Sequence, residues 1–302
     1  MLNFDCVIIG SGAAGMTAAI YLKRANLSVA LIEKDAPGGQ MTKISNIENY
    51  PGYRSVDGST LSLNMYNQVI DLGVDYRYGN VLDIQDYGDY KIIKTDVEEI
   101  KCKAVIIASG RKPRRLGLEN EEKLIGRGIS YCALCDGFFY KDKTVAVIGG
   151  GSSAVEESIY LSGICKEVIL IHRRDQLTAD LNAQEKLKKI KNIKINYNSV
   201  VTTLITESDK LKAIKIKTNN KEEKEIKIDG MFIYIGHEPD VSFLSNLDIN
   251  LDKNYVVVDD KMRTNIKNIY ACGDIIKKEI YQITTAVGEG TIAATTAKKD
   301  IT

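Results

Sequence analysis

A strand, a glycine-rich turn, a helix and a second strand follow one another twice in this sequence, and this repetition constrains the fold more than any other feature. The first unit begins with the apolar run 4–9, turns at 10–15 and ends at Glu33. The second begins with a similar run, turns at 149–151 and ends with the run 167–172. Apolar runs joined by a helix are typical of parallel strands buried on both faces. Because the repeat is domain-sized, it predicts two nucleotide-binding domains rather than a solenoid.

Two short, polar, proline-containing segments are the predicted crossings between these domains. They are 111–117 (RKPRRLG) and 237–242 (HEPDVS). Such composition is typical of connections, and two crossings imply that one domain is inserted in the other. We therefore predict an α/β protein with two Rossmann-like domains of three-layer ββα architecture. The first contains 1–112 and 242–302, and the second, inserted domain contains 113–241.

The remaining stretches add strands to both domains. Residues 183–228 combine a lysine-rich helical piece with the alternating runs 193–205, 210–218 and 222–228, which together predict a meander. Acidic residues are interleaved with the lysines, which indicates a solvated face rather than a binding patch. The stretch 284–298 predicts a helix.

Composition and charge exclude several classes of function. The 302 residues carry 41 basic and 40 acidic side chains, a net charge of +1, which gives no argument for binding to nucleic acid or to an anionic membrane, and we expect neither partner. No apolar run approaches the ~20 residues of a membrane span. The N-terminal residues include no basic region followed by a long apolar run, so we expect no secretory signal. Six cysteines with one close pair do not predict a disulfide framework, and we expect a cytoplasmic protein.

The first glycine turn carries the pattern of a dinucleotide site. Gly10, Gly12 and Gly15 lie between a strand and a helix, where the missing side chains let the backbone approach a pyrophosphate at the helix N-terminus. Glu33 follows Gly10 by 23 positions, near the ~20 expected for an acceptor of ribose hydroxyls. Isolated glycines also occur in ordinary tight turns, so the assignment depends on this context. A carboxylate here favours a free ribose, as in FAD.

The second glycine turn differs at the position that follows its second strand. Counting the same 23 positions from Gly149 reaches His172, with Arg173 and Arg174 after it. Arginines match a 2′-phosphate in charge and in forked geometry, whereas a carboxylate repels it. This unit is therefore predicted to bind NADPH. The alternative is that the two arginines are only the solvated end of a strand.

Cys132 and Cys135 form the one Cys-x-x-Cys pair. A zinc site would need two more ligands, and the chain has no second such pair and only two histidines. A dithiol at this spacing can instead close and reopen by thiolate exchange, with Asp136 beside it to give or take a proton. A pair of inert, buried thiols is the remaining alternative. The other cysteines are interpreted as buried apolar residues, and they are Cys6, Cys102, Cys165 and Cys272.

These motifs together resemble the low-molecular-weight, bacterial-type thioredoxin reductases along nearly the whole chain. The matching segments are GSGAAG (10–15), PGGQM (37–41), IENYPGY (47–53), ASGRKPR (108–114), YCALCDGFF (131–139), GGGSSAVEE (149–157), HRRD (172–175), IGHEPD (235–240) and YACGD (270–274). The position of Cys-x-x-Cys in the second domain distinguishes this family from glutathione-reductase-like enzymes, whose pair lies in the FAD domain.

The resemblance implies two sets of cofactor-binding residues and no metal. The first domain would bind FAD through Gly10, Gly12, Ala13, Ala14, Gly15, Glu33, Lys34, Gly39, Gln40, Asn49, Gly110, Gly273, Asp274, Gln282 and Ile283. The second would bind NADPH through Gly149, Gly151, Ser152, Ser153, Ala154, His172, Arg173 and Arg174. Within the first set, the family places Asp274 at the FAD ribitol and Gly39, Gln40 and Asn49 around the flavin ring.

The resemblance also implies a mechanism and partners. NADPH reduces the flavin, the flavin reduces the Cys132–Cys135 disulfide through Cys135, and Cys132 attacks the disulfide of oxidised thioredoxin. Cys135 then resolves the mixed disulfide, and Asp136 protonates the departing thiolate. Family members rotate the second domain between the two half-reactions, and they are usually homodimers.

Two departures from the family pattern leave the electron donor open. Thr178 stands where the family usually has a third basic residue, which is expected to cost about tenfold or more in discrimination between NADPH and NADH. Tyr281 precedes Gln282 where an arginine is usual. The alternatives are a ferredoxin-dependent flavin thioredoxin reductase and an NADH-dependent reductase of a related disulfide partner. A non-catalytic flavin-binding sensor is a further alternative, which the intact Cys-x-x-Cys-Asp sequence disfavours.

Overall fold

The computed structural model describes residues 1–44, 46–219 and 223–302, which form two compact units. Unit 1 contains Met1–Lys112 and Glu238–Thr302, and unit 2 contains Pro113–His237. The second boundary between the units lies at the start of the predicted crossing 237–242. In these two crossings, the strand His237–Pro239 pairs with the strand Arg111–Pro113.

The helices and strands follow one another in the order expected for two βαβ repeats. Before the first crossing they are β1 (Leu2–Ile9), α1 (Ala13–Arg24), β2 (Val29–Glu33), α2 (Gly58–Asp71), β3 (Asp75–Tyr78), β4 (Val81–Asp86), β5 (Lys91–Thr95) and β6 (Glu99–Ile107). From the first crossing onward they are β7 (Arg111–Pro113), β8 (Ile129–Ser130), α3 (Ala133–Asp136), β9 (Thr144–Gly149), α4 (Ser152–Ser162), β10 (Glu167–Ile171), α5 (Leu181–Lys188), β11 (Ile193–Asn196), β12 (Ser199–Glu207), β13 (Lys210–Thr218), β14 (Glu223–Lys227) and β15 (Gly230–Tyr234). The return gives β16 (His237–Pro239), β17 (Leu251–Asp252), β18 (Tyr255–Val256), β19 (Ile269–Ala271) and α6 (Ile283–Ile301). Short 3₁₀ helices lie at Gly39–Lys43, Glu122–Leu124, Gly137–Tyr140, Ser242–Leu244 and Gly273–Ile275.

Unit 1 is built on one twisted sheet. Strands β3, β2, β1, β6 and β19 are parallel in this spatial order, and β5 and β4 continue from β6 as an antiparallel extension. Successive side chains of β1 enter opposite cores: Cys6 and Ile8 face helices α1, α2 and α6, while Val7 and Ile9 join the cluster with β4, β5 and Phe243. Burial on both faces explains why the run has no polar alternation.

Unit 2 repeats this arrangement with a five-stranded parallel sheet in the order β11, β10, β9, β15 and β8. On one face, Val145 and Val147 of β9 pack with residues of α4 and α5. On the other face, Ala146 and Ile148 pack with the antiparallel sheet formed by β12, β13 and β14. The layers are sheet, sheet and helix, which confirms the predicted fold class.

The predicted meander is partly correct: β12, β13 and β14 form it, but the predicted run 193–205 divides into two strands, β11 and β12. Ile193–Asn196 pairs in parallel with β10 at the edge of the main sheet and does not enter the antiparallel sheet. Its alternating pattern fits an edge strand with one buried face, so periodicity could not distinguish the two positions. Glu222, within the last predicted run, lies outside the described residues. Across the described residues, no helix has both the length and the apolar character needed to cross a membrane.

Candidate active site

The glycine turn of unit 1 brings the start of α1 close to the end of β1. A side-chain carbon at Gly15 would lie 1.8 Å from the carbonyl oxygen of Gly10, so only glycine permits this packing. A carbon at Gly12 would meet no atom of the described residues within 4 Å. Gly12 therefore leaves an open space at the helix N-terminus, where backbone N–H groups can bind a phosphate. The turn fits a pyrophosphate in both shape and charge.

Glu33 closes this turn from the end of β2. Its Oε2 accepts hydrogen bonds from the Ser11 backbone N–H at 2.8 Å and from the Ser11 hydroxyl at 2.9 Å. Its Oε1 accepts from the backbone N–H groups of Lys34 at 2.9 Å and Asp35 at 3.0 Å. The carboxylate is thus held beside the glycine turn, as the acceptor of ribose hydroxyls must be.

Residues predicted at the flavin ring come together from distant parts of unit 1. The Asn49 amide donates to Gln282 Oε1 at 3.1 Å, and the Gln40 amide donates to the Arg111 carbonyl at 3.0 Å. Arg111 in turn forms a 2.9 Å ion pair with Asp274. Arg111, which was not predicted, therefore links two predicted residues, Gln40 and Asp274, and a direct hydrogen bond joins two others, Asn49 and Gln282.

The other residues assigned to FAD lie at the same edge of the sheet or at the ends of its connections. Ala13 and Ala14 are buried in the first turn of α1, and Lys34 approaches Asp240 at 3.8 Å. The remaining ones are Gly39 in a 3₁₀ helix, Gly110 after β6, Gly273 after β19 and Ile283 at the start of α6. Carboxyl ends of parallel strands are where ligands bind in open α/β sheets.

A charged cluster in unit 1 has no equivalent in the sequence prediction. Lys278 pairs with Glu289 at 2.8 Å and approaches Asp274 at 3.5 Å, and Glu289 accepts the backbone N–H of Gly273 at 2.9 Å. The Arg111 guanidinium lies 4.0 Å from the centre of the Tyr281 ring. The Lys278–Glu289 pair depends on a tertiary contact, and neither of these two residues lies in one of the sequence motifs described above.

Two buried polar atoms next to the glycine turn have no hydrogen-bond partner among the described residues. They are the hydroxyl oxygen of Ser109 and Nε of Arg111. The Cα atom of Ser109 would lie 2.9 Å from a side-chain carbon on Gly10, which places it beside the turn. Buried polar groups are normally paired, so a bound ligand with acceptor atoms fits this edge of unit 1.

The glycine turn of unit 2 packs against His172. A side-chain carbon at Gly150 would lie 2.2 Å from His172 Nδ1. The imidazole is buried, its Nε2 lies 2.9 Å from the Gln176 carbonyl, and burial together with Arg174 and Arg173 lowers its pKa. His172 therefore supports the turn as a neutral ring, which leaves positive charge at this site to the two arginines.

Arg173 and Arg174 are exposed at the end of β10, and neither forms an ion pair within the part of the chain that the structure describes. Thr178 does not extend toward them. Its backbone N–H and hydroxyl both donate to the Gly150 carbonyl, at 2.7 and 3.2 Å. Two cations thus remain available for a phosphate, and the third family position stabilises the turn instead.

The first turn of α4 carries the other residues assigned to NADPH. Gly151 is the N-cap of the helix, Ser153 is exposed and Ala154 is buried. The Ser152 hydroxyl lies 3.5 Å from Asp180. No side chain caps this N-terminus within the described ranges, so its N–H groups can donate hydrogen bonds to a phosphate.

Cys132 and Cys135 form a disulfide across the short helix α3 of unit 2. Cys132 is the N-cap residue, and its sulfur accepts the backbone N–H of Cys135 at 3.1 Å. Cys132 is 9% exposed, whereas Cys135 is exposed. Asp136 follows at once, and its Oδ2 lies 2.6 Å from the Ser130 hydroxyl. A backbone N–H aimed at a sulfur stabilises a thiolate there once the disulfide opens.

The four other cysteines are free and buried, as predicted. Burial raises the pKa of Cys102 to about 12 and that of Cys165 to about 11, and it also raises the pKa values of Cys6 and Cys272. Thiols in this state are poor nucleophiles. Among the described residues, no cluster of three or more His, Cys, Asp or Glu side chains could hold a metal ion.

Comparison with known proteins identifies the family of a chain that has these two glycine turns and this disulfide. The family model described as pyridine nucleotide-disulphide oxidoreductase matches residues 4–290. The chain belongs to this family. Similar proteins include the thioredoxin reductases of Mycoplasma genitalium (strain ATCC 33530 / DSM 19775 / NCTC 10195 / G37), 44% identical over 99% of this chain and 95% of that protein, and Bacillus subtilis (strain 168), 42% identical over 96% and 92%. The crystal structure of Lactococcus lactis thioredoxin reductase matches with a TM-score of 0.91 and 43% identity, covering 99% of both chains.

For a pyridine nucleotide-disulphide oxidoreductase, the sequence predicted those parts of the candidate site that are contiguous motifs. It missed Ser130, although that residue lies two positions before the first cysteine, because a serine at the end of a short strand carries no distinguishing pattern. It also missed Glu289 and Lys278, whose pairing depends on how α6 approaches Gly273. The family resemblance stated from the sequence is confirmed.

Proposed function

We propose that this chain is a thioredoxin-disulfide reductase that moves electrons from NADPH, through FAD and the Cys132–Cys135 pair, to oxidised thioredoxin. Unit 1 would bind FAD, and unit 2 would bind NADPH and carry the redox-active pair. The disulfide is the observation that carries the proposal: a Cys-x-x-Cys pair closes next to an aspartate in the same unit as the second glycine turn. Near-full-length similarity to thioredoxin reductases supports it.

The chemistry of bound FAD is to accept a hydride from a nicotinamide and to pass two electrons to a disulfide. The residues that would hold it are those around the Gly10–Gly15 turn, Glu33 and the Asp274 region. Two observations support FAD binding by these residues: the open space at Gly12, and the buried polar atoms of Ser109 and Arg111 that have no hydrogen-bond partner among the described residues.

The cysteine pair has the features needed for exchange with a protein disulfide. The Cys135 N–H can stabilise negative charge on Cys132, so reduced Cys132 can attack a substrate disulfide as a thiolate. Cys135 then attacks the mixed disulfide, and Asp136 supplies a proton to a departing thiolate. Phe138 and Phe139 are each 72% exposed just after the pair, an apolar surface that suits a protein substrate.

Arg173, Arg174 and the second glycine turn support NADPH as the donor. Because Thr178 carries no positive charge, NADH is an alternative donor, and reduced ferredoxin is a second alternative. Anaerobic titration of the FAD-loaded protein with each donor separates them, because bleaching of the flavin absorbance reports reduction directly. We expect NADPH to bleach the flavin at lower concentration than NADH. Bleaching by ferredoxin and by neither nicotinamide would contradict this assignment.

Replacing Cys135 tests the route through the disulfide. We expect Cys135→Ser to retain FAD and flavin bleaching by NADPH but to lose thioredoxin-dependent reduction of insulin by at least about a thousandfold, since no disulfide can form. Cys165→Ser is the matched control, because that thiol is buried and free in the same unit, and it should retain turnover. Substantial thioredoxin reduction by Cys135→Ser would refute the proposed route.

A homodimer in the cytoplasm is the assembly and compartment that we propose with this function. The family resemblance is what supports the dimer. Sedimentation of the FAD-loaded protein tests it, with a mass near twice that of the 33.5 kDa chain as the expected result and a single-chain mass as the contrary one.

A further inference from the structure

The buried hydroxyl of Ser130 contacts both the first redox cysteine and Asp136. Ser130 is the last residue of β8 and is 4% exposed. Its Oγ lies 2.6 Å from Asp136 Oδ2 and 3.2 Å from the carbonyl oxygen of Cys132. The backbone N–H of Cys132 donates to the same Oγ at 3.0 Å. One hydroxyl therefore joins the backbone on both sides of Cys132 to the carboxyl group that follows Cys135.

This hydroxyl has one hydrogen and two acceptors within reach. While Asp136 is a carboxylate, the shorter contact and the negative charge direct the Ser130 hydrogen to Oδ2. When Asp136 carries a proton, its O–H can donate to Ser130 Oγ, and the Ser130 hydrogen can rotate to the Cys132 carbonyl. The Cys132 N–H remains bonded in both arrangements. No buried polar group loses its partner when the proton moves, which avoids the cost of an unsatisfied group.

We propose that Ser130 is a positioning residue for the thiol–disulfide exchange, because it holds Asp136 beside the cysteine pair in both protonation states. The inference rests on the function proposed above.

In the first step of the exchange, the Cys132 thiolate forms a bond to one substrate sulfur and the substrate S–S bond breaks. The electron pair of that bond leaves on the second substrate sulfur, which takes the proton of Asp136. In the second step, Cys135 gives its proton to the Asp136 carboxylate, its thiolate attacks Cys132, and the first substrate sulfur leaves as a thiolate that solvent protonates. Enzyme dithiol becomes disulfide as substrate disulfide becomes dithiol.

The other ionisable groups around this site do not replace Ser130. The hydroxyl of Tyr234 on β15 accepts a hydrogen bond from the backbone N–H of Ala133 at 2.8 Å. Burial raises the pKa values of Tyr234 and Tyr140, and the charge of Asp136 raises both further. These phenols stay protonated. Glu157 on α4 faces Tyr234 and has its pKa raised to about 7 by burial and Glu156. Within the described residues, Ser130 supplies the side-chain hydrogen bond to Asp136.

A double-mutant cycle on the FAD-loaded protein tests the inference. We expect Ser130→Ala to lower kcat for thioredoxin reduction about tenfold, the fold-change typical for loss of a hydrogen bond to a charged group. The KM for thioredoxin and flavin bleaching by NADPH should not change, because neither involves the proton of Asp136. In an Asp136→Asn background, Ser130→Ala should cause no further loss, because the group it positions is gone.

Tyr234→Phe is the matched control. The substitution removes a hydroxyl that accepts the backbone N–H of Ala133, in the same turn, and that does not contact Asp136. Any loss of kcat that Tyr234→Phe causes should therefore be the same in the wild-type and Asp136→Asn backgrounds. Where Ser130→Ala fails to fold, Ser130→Thr keeps the hydroxyl and should retain kcat within about threefold.

Several results would overturn the inference. The first is a wild-type kcat in Ser130→Ala. The second is a loss of kcat on adding Ser130→Ala to Asp136→Asn that equals the loss in the wild-type background. The third is a tenfold loss of kcat in a folded Ser130→Thr variant. Failure of the wild-type protein to reduce thioredoxin at all would instead refute the proposed function, and the two failures are therefore distinguishable.

Discussion

Thr178 shows, at the scale of single residues, how one substitution changes what a turn can bind. Its hydroxyl and backbone N–H both donate to the Gly150 carbonyl, so the residue stabilises the glycine turn and adds no charge. In the proposed function, Arg173 and Arg174 would then provide the cationic contacts to a 2′-phosphate. Hydrogen bonds from charged groups contribute ~1.5–3 kcal/mol each, so the missing third cation is large enough to affect the choice between NADPH and NADH.

Restoring that cation should sharpen the preference. We expect Thr178→Arg to raise the ratio of kcat/KM for NADPH to kcat/KM for NADH about tenfold or more, since Thr178 is exposed and a longer side chain has room there. Steady-state kinetics with each cofactor measure the ratio. Thr178→Ser, which keeps the hydroxyl, is the control and should leave the ratio unchanged. An unchanged ratio in Thr178→Arg would show that this position does not face the phosphate.

Glu157 makes stability depend on pH. Burial and the neighbouring Glu156 raise its pKa from 4.5 to about 7. The folded protein therefore holds a proton that the unfolded chain has released, and the free energy of unfolding falls as the pH rises from about 4.5 to about 7.

Removing this carboxylate should stabilise the protein at high pH only. We expect Glu157→Gln to raise the free energy of unfolding at pH 8 by roughly 1–2 kcal/mol. A pKa raised from 4.5 to about 7 would give roughly 3 kcal/mol at ~1.4 kcal/mol per unit, and the effect is smaller because the side chain is only partly buried. At pH 4 the gain should vanish. Urea titrations at both pH values measure it, with exposed Glu156→Gln as a control of smaller effect. An equal gain at both pH values would contradict the assignment to ionisation.

At the scale of elements, the contact between β1 and α1 distinguishes two kinds of glycine. Gly15 is required by the packing of the helix against the strand, whereas Gly12 leaves space that we assign to a ligand. Gly15 has the Gly10 carbonyl oxygen where a side chain would begin, whereas Gly12 has no atom of the described residues nearby. The backbone of Gly12 is in the ordinary extended region, so alanine fits there without strain.

These two positions give a matched pair of substitutions. Gly15→Ala should push α1 away from β1 and lower the melting temperature by several degrees, as overpacking that costs ~1–3 kcal/mol does. Gly12→Ala should leave the melting temperature of the apoprotein nearly unchanged but weaken FAD binding at least about tenfold, because the added methyl group occupies the space left for the pyrophosphate. Thermal unfolding and titration of apoprotein with FAD distinguish the two. Wild-type FAD affinity in Gly12→Ala would place the pyrophosphate elsewhere.

The elements also show where prediction from the sequence succeeded and where it could not. Buried strands next to glycine turns are set by local pattern, so β1 and β10 lie close to the predicted runs 4–9 and 167–172. The edge strand β11 was assigned to the wrong sheet because one-sided burial looks the same in both positions. The hydrogen bonds of Ser130 and the Arg111–Asp274 ion pair depend on tertiary approach, which no local pattern encodes.

At the scale of the whole molecule, the chain has two units of the same design, and their differences divide the work between them. Unit 1 carries Glu33 after its second strand, and unit 2 carries Arg173 and Arg174 at the equivalent point. Only unit 2 contains the redox-active cysteine pair. The similarity to thioredoxin reductases extends over nearly the full length of the chain and therefore covers all three features.

The most direct test of this account is to identify which thiols NADPH generates. The FAD-loaded protein is reduced anaerobically with NADPH, alkylated with iodoacetamide under native conditions, and analysed by peptide mass spectrometry. We predict alkylation of Cys132 and Cys135 that depends on NADPH, with the buried Cys6, Cys102, Cys165 and Cys272 unmodified. A flavin fully bleached by NADPH while Cys132 and Cys135 remain joined in their disulfide would contradict the account.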